Sequence, residues 1–175
     1  MSDVRGGLVA APALISALYD YGRWANERLL AVADKLDAAQ LNQKLTKGAD
    51  PILQTFGHLV GADIRWFARW RNQSPPPFSP ADWPSLDVVR RHWSELYPAR
   101  RAYIASLDDA QLMEPIAWRR GDGREQHVTR WQAMVHCANH GTQHRSEIAA
   151  MLTDLGHSPG NMDMVDYLVD QPRTA

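Results

Sequence analysis

The stretch MVHCANHGTQHRSEIAAMLTDL, residues 134–155, decides how the rest of the chain is read. His136, His140 and His144 recur every four residues, which on a helix stacks them one turn apart along a single stripe. Cβ atoms at that spacing lie about 5–6 Å apart, close enough for two imidazoles to grip one metal ion. Val135, Ile148, Met151, Leu152 and Leu155 follow the helical period and give the same segment an apolar face, so the histidines border a core. An HxxxH pair alone is a weak signal, and helical twist carries the outer two rings apart, so two of the three are expected to bind. An ion then needs at least one more ligand from another segment.

Working outward, Thr129 is placed to cap this helix and Gly156 to end it at the C′ position. Just upstream, PIAWRRGDGREQHVTR (residues 115–130) sets two short runs on either side of Gly-Asp-Gly, the pattern of a β-hairpin. It is expected to project from the helices, with His127 exposed on its second arm, and Asp108 to start a short helical turn before it. Downstream, His157 falls in a loop with Pro159 and Gly160, and Met162, Val165 and Leu168 form a short amphipathic tail.

Three further helices precede these elements. The first, over residues 8–36, carries Leu14, Ile15, Leu18, Tyr21, Trp24, Ala25, Leu29, Leu30 and Val32 at a period near 3.6. Residues 6–18 have a faint signal-peptide look, but Pro12 interrupts it and only Arg5 precedes it, so it reads as the start of the mature fold. Asp50-Pro51 reads as N-cap and first helical position of a second helix over residues 51–72. His58 stands there beside the small residues Gly57, Gly61 and Ala62, which let another helix approach, and it is the natural third ligand. Residues 72–84 are too proline-rich for either period and form a connection over the end of the helices. Ser85 caps a third helix to residue 107, with Leu86, Val89, Trp93, Leu96, Tyr103, Ile104 and Leu107 inward, a kink at Pro98 and His92 solvated. The expectation is an all-α fold: a single four-helix-bundle domain over residues 1–175, with a small β-hairpin inserted before the last long helix.

Composition narrows the function. The chain has 175 residues, a formal net charge of −1 and no basic cluster, so the electrostatic footprint of a nucleic-acid binder is missing. No apolar run reaches the span of a bilayer, which excludes a membrane partner by that route. One cysteine excludes an internal disulfide framework and fits a reducing cytoplasm. Seven tryptophans leave apolar surface to cover, and a homodimer is expected.

The segments YDYGRWANERLL (19–30), ILQTFGHLVGADIRWFARW (52–70), HCANHGTQHRSEIAAMLTDLG (136–156) and GNMDMVDYL (160–168) together resemble the DinB family. These are DNA-damage-inducible metal-binding bundles related to thiol-dependent S-transferases and mycothiol-dependent maleylpyruvate isomerases. The resemblance implies an up-down-down-up arrangement of the helices and a divalent ion held by three ligands. By motif these are His58 from the second long helix and His140 and His144 from the last. Where the family commonly has HHRGQ, this chain has Gln143-His144-Arg145-Ser146-Glu147, which keeps the ligands and changes their neighbourhood.

Three neutral imidazoles would leave a position open for water or substrate, as catalytic sites do, and would leave the ion's charge free to acidify a bound water or thiol. Imidazole suits Zn, Ni, Cu or Fe, with Zn or Ni the leading candidates. The expected substrate is a small molecule, with a low-molecular-weight thiol among the partners, and no organic cofactor site is read. His136, Asn139, Arg145 and Trp24 are candidates to line the pocket or support the ligands. For His136 the alternative is a buried histidine bonded to a backbone carbonyl, for Arg145 a solvated surface, and for Trp24 aromatic core packing. Glu147 is read as solvated, and Cys137, about 100° round the helix from His136, as a small core residue. The readings left open are a transferase or hydrolase, a bundle that its metal stabilises, and a bundle acting by association alone.

Overall fold

The computed structural model describes residues 11–45, 50–119 and 121–170. Helix α1 spans Ala11–Ala33, and the expected start of this helix at residues 8–10 lies outside the described residues. A short helix α2, Ala38–Asn42, follows, its first turn closed by Asp37 and Gln40 bonding each other's backbone N–H groups. Helix α3 spans Ile52–Trp70 and starts one residue later than expected: Pro51 is at the N-cap, and its carbonyl accepts from the Thr55 N–H. A 3₁₀ turn at Pro80–Asp82 breaks the proline-rich connection. Helix α4, Leu86–Ala105, begins at Ser85, whose hydroxyl accepts the Val88 N–H, and continues through Pro98.

Helix α5, Asp109–Met113, leads into strands β1, Pro115–Arg119, and β2, Glu125–Thr129, which pair antiparallel with Ile116 opposite Val128. Helix α6 spans Arg130–Asp154. Thr129 is its N-cap residue, but the bond that closes the turn runs from the Thr129 N–H to Gln132 Oε1. Gly156 takes φ +84 just past the end, where the left-handed conformation lets the His157 N–H reach back to the Leu152 carbonyl. Helix α7, Met164–Asp170, closes the described chain.

The fold is mostly helical, with the hairpin before the last long helix. α6 packs on α1 and α3, and α4 packs on the same two, around a core that includes Leu29, Phe56, Trp70, Trp93, Met134, Ile148 and Leu152. Polar ties cross that core. The Tyr19 hydroxyl donates to the Met134 carbonyl at 2.8 Å, and Arg100 meets Asp63 at 3.1 Å while Trp93 Nε1 donates to the same carboxylate. Buried Arg130 donates Nε–H to the Trp70 carbonyl and Nη2 to Glu114, joining the start of α6 to the end of α3.

Two expectations about peripheral segments change. The hairpin lies against α3 instead of projecting: Ile116 is buried, and Trp118 meets Trp66 edge-on with ring centroids 5.1 Å apart. A two-stranded ribbon has too little core of its own, so its apolar face seeks a neighbour. The proline-rich connection folds back along α3. Trp83 sits over Gly57 and Phe78 over Gly61, at distances that leave no room for a Cβ on either glycine. Among the described residues, no helix is long and apolar enough to cross a membrane.

Candidate metal centre

The facing stripes of α3 and α6 bring His58, His140 and His144 together. His140 Nε2 lies 3.3 Å from His58 Nε2 and 3.1 Å from His144 Nε2, and one ligand nitrogen from each ring falls within 4.8 Å of the others. The rings are tilted, with centroids 5.2 Å apart for His58–His140, 4.7 Å for His58–His144 and 4.5 Å for His140–His144. Tilted rings aim their nitrogens at a common point instead of stacking face to face.

The spacing fits a small cation. Zn–N bonds of about 2.0–2.1 Å at a tetrahedral angle set ligand nitrogens about 3.3 Å apart. Protons alone do not satisfy the cluster. His144 Nδ1–H donates to Glu147 Oε2 at 2.6 Å, which leaves the His144 Nε2 lone pair facing inward. A neutral His140 has one N–H to offer against two inward-facing neighbours. A cation at the centre would satisfy every inward lone pair at once.

The electrostatics favour neutral rings at His140 and His58, as ligands must be. Burial first, then the neighbouring His144, His58 and His136 imidazoles, push His140 down to about 4. His58 is lowered by burial and then by His144, with Arg65 adding in the same direction and Asp50 and Glu147 opposing.

Of the supporting residues named from sequence, His136 comes nearest. It is exposed on the stripe one turn before His140, its ring 6.0 Å from that of His140 and 5.3 Å from Trp66. It is not a buried histidine, and among the described residues it bonds to no backbone carbonyl. Trp24, Asn139 and Arg145 make no hydrogen bond, ion pair or ring contact with the trio among the described residues. Trp24 packs on Tyr21 and on Tyr167 of α7, with Arg28 over its ring. Asn139 and Arg145 line a separate recess of about 450 Å³ with Leu18, Tyr21 and Asp163.

Arg145 is a correction to the solvated reading. Only 6% of it is exposed, its guanidinium packs against Gly22 and Gly141, and Nη2 donates to Thr142 Oγ1. One step round a helix is about 100°, so the residue after a ligand faces a different neighbour, here α1. Cys137 is buried close to Tyr19, and burial pushes its thiol up. Glu147 is not a free solvated carboxylate but the partner of His144, a role that its i, i+3 spacing on a helix could have signalled.

Sequence reasoning passed over two more residues and misread a third. Phe78 meets the His58 ring edge-on at 6.3 Å, from a loop with no periodicity to reveal it. Arg65, two turns beyond His58 on α3, has its Nε buried with no hydrogen-bond partner. His92, expected in solvent, is partly buried against Trp83 at 5.1 Å.

Comparison with known proteins agrees with the motif pattern. The chain is 23% identical over 157 residues to Protein DinB of Bacillus subtilis (strain 168), an alignment covering 86% of this chain and 91% of that one. The sequence pattern of the DinB family matches residues 6–174, nearly the whole length. With two histidines on α6 and one on α3 at the spacing its motif implies, the chain belongs to the DinB family.

Proposed function

We infer that His58, His140 and His144 hold a divalent metal ion, Zn or Ni first, and that the protein is a metal-dependent enzyme acting on a small molecule. The reaction class we favour is transfer of a thiol onto an electrophile, with hydrolysis of a small substrate as the other member. The observation that carries this reading is the pair of Nε2–Nε2 separations, 3.3 and 3.1 Å, with Glu147 holding the far side of one ring. When bound, the ion would supply Lewis acidity that lowers the pKa of a water or thiol beside it. The chain supplies the rest. Glu147 fixes the tautomer and aim of His144, and burial keeps His58 and His140 in the unprotonated form a ligand needs. With only three side chains contributed by the protein, a further position is left for a guest.

The surrounding architecture fits the same reading: α1, α3, α4 and α6 as one four-helix bundle, up-down-down-up, forming a single domain that houses the site between two of its helices. We place the protein in the cytoplasm, where its lone thiol would stay reduced. A second copy of the chain is the proposed cover for Val165, Leu168 and Val169 of α7, which are exposed among the described residues.

The test is elemental analysis of untagged protein, then thermal unfolding with and without added Zn²⁺ or Ni²⁺. Wild type should gain thermal stability with metal and His140→Ala should not. Equal shifts in both proteins would remove the trio as the binding site. A screen of low-molecular-weight thiols against electrophiles then separates an enzyme from a bundle that metal merely stabilises.

A further inference from the structure

A cavity of about 410 Å³ lies between α3, the proline-rich connection and α4, its wall beginning three residues along α3 from His58. That volume falls in the range of about 300–1,000 Å³ usual for small-molecule sites. Ile64, Phe78 and Trp83 give it apolar walls, and the Phe78 ring, which lines the cavity, also meets His58. Polar groups are few. Arg65 and His92 line it, together with Asp82, whose Oδ2 accepts the Ser79 N–H at 2.9 Å.

Two of the lining residues carry unmet donors: Arg65 Nε and Trp83 Nε1 are both buried with no hydrogen-bond partner. Arg65 is the charged one, and no carboxylate among the described residues pairs with its guanidinium. An unmet buried N–H costs more than a made hydrogen bond gains, so Arg65, itself only partly buried, is placed to take an acceptor from the cavity. It stands seven residues after His58, two turns along the same helix, a rise of about 10 Å. Seven residues is two turns, so both side chains leave the same face of α3, and Phe78 touches His58 on one side and lines the cavity on the other.

We propose that this cavity takes a small organic anion, its flat apolar body against Phe78 and Trp83 and its carboxylate on the Arg65 guanidinium. His92 lines the same space. The carboxylate assignment follows from the planar fork of arginine, which meets a carboxylate with two parallel bonds. The proposal rests on the reading of the trio as the reactive centre, since it names the substrate class of that centre, but the binding it requires can be measured without the metal.

Calorimetric titration of the full chain with 2-naphthoate and with the isosteric neutral 2-naphthamide is the experiment, on wild type, Arg65→Gln, Arg65→Lys and His140→Ala, each first shown to be folded by its unfolding transition. Wild type should prefer the carboxylate by on the order of tenfold or more, as a charge-assisted pair provides. Arg65→Gln should lose that preference while still taking the amide, and Arg65→Lys should keep part of it. His140→Ala should keep the preference, so loss of metal binding in that variant bears on the trio alone. Equal affinity of wild type for the two probes, no carboxylate binding up to millimolar concentration, or an undiminished preference in Arg65→Gln would overturn the proposal.

Discussion

The Glu147 carboxylate reaches His144 from the side opposite the trio, 2.6 Å from Nδ1. An imidazole that donates to a carboxylate is a better-aimed and more basic donor to a metal, and such outer partners are worth about 10–100-fold in metal affinity. Glu147→Gln keeps an acceptor of the same shape and removes the charge, so metal affinity should fall toward that range, read by competition against a chelator of known strength, with apo stability little changed. An unchanged affinity would mean the bond is incidental. How far such residues could be read from sequence depends on where their partners come from. His58, His140 and His144 were legible because helical spacing and motif agree on them. Arg145 was not, because whether a residue one step off the stripe meets solvent or a helix depends on the position of α1, which no local pattern encodes. His92 failed likewise: Trp83, against which it rests, comes from a loop.

At the scale of elements, the long helices announced themselves through 3.6-residue periodicity, and the helix starts at Ser85 and Asp108 through residue type. The proline-rich connection did not. Proline removes both periods, so nothing in that stretch tells a solvent loop from one that packs. Its docking was written instead on α3, as glycines at 57 and 61, where Trp83 and Phe78 sit. This arrangement sets a sign. Glycine in a helix interior normally costs up to about 1 kcal/mol relative to alanine, so on propensity alone Gly57→Ala stabilises α3. A Cβ at residue 57 would, however, lie 2.6 Å from Trp83 Cγ and 2.7 Å from Trp83 Cβ, and a Cβ so close to the backbone cannot swing away. Overpacking of that kind costs about 1–3 kcal/mol and should win. Gly57→Ala is therefore expected to lower the denaturant midpoint, whereas a rise would show that the connection yields easily.

Across the whole molecule, two histidines of the trio couple folding to pH. His140 is pushed down to about 4 and His58 is lowered, whereas in the unfolded chain both return to the ordinary histidine value of about 6.5. Between those limits the unfolded state binds more protons, so stability rises with pH. The contribution of these two groups is fully present above about pH 6.5 and is lost as pH falls toward 4. Metal-free protein should thus lose thermal stability between pH 7 and 4. Carboxylates that titrate in the same range would add to the loss, so His140→Ala is the comparison: its stability should fall less steeply over that window. The ion works against the same protons. Because two of its ligands, His58 and His140, stay neutral to lower pH than free imidazole, metal-loaded protein should hold its thermal advantage below pH 6.5, and the advantage should vanish only as His140 approaches its own titration. Thermal unfolding of wild type and His140→Ala at half-unit pH steps, with Zn²⁺ and with chelator, measures both effects. Parallel pH profiles for the two metal-free proteins would show that the buried imidazoles are not where the proton linkage resides.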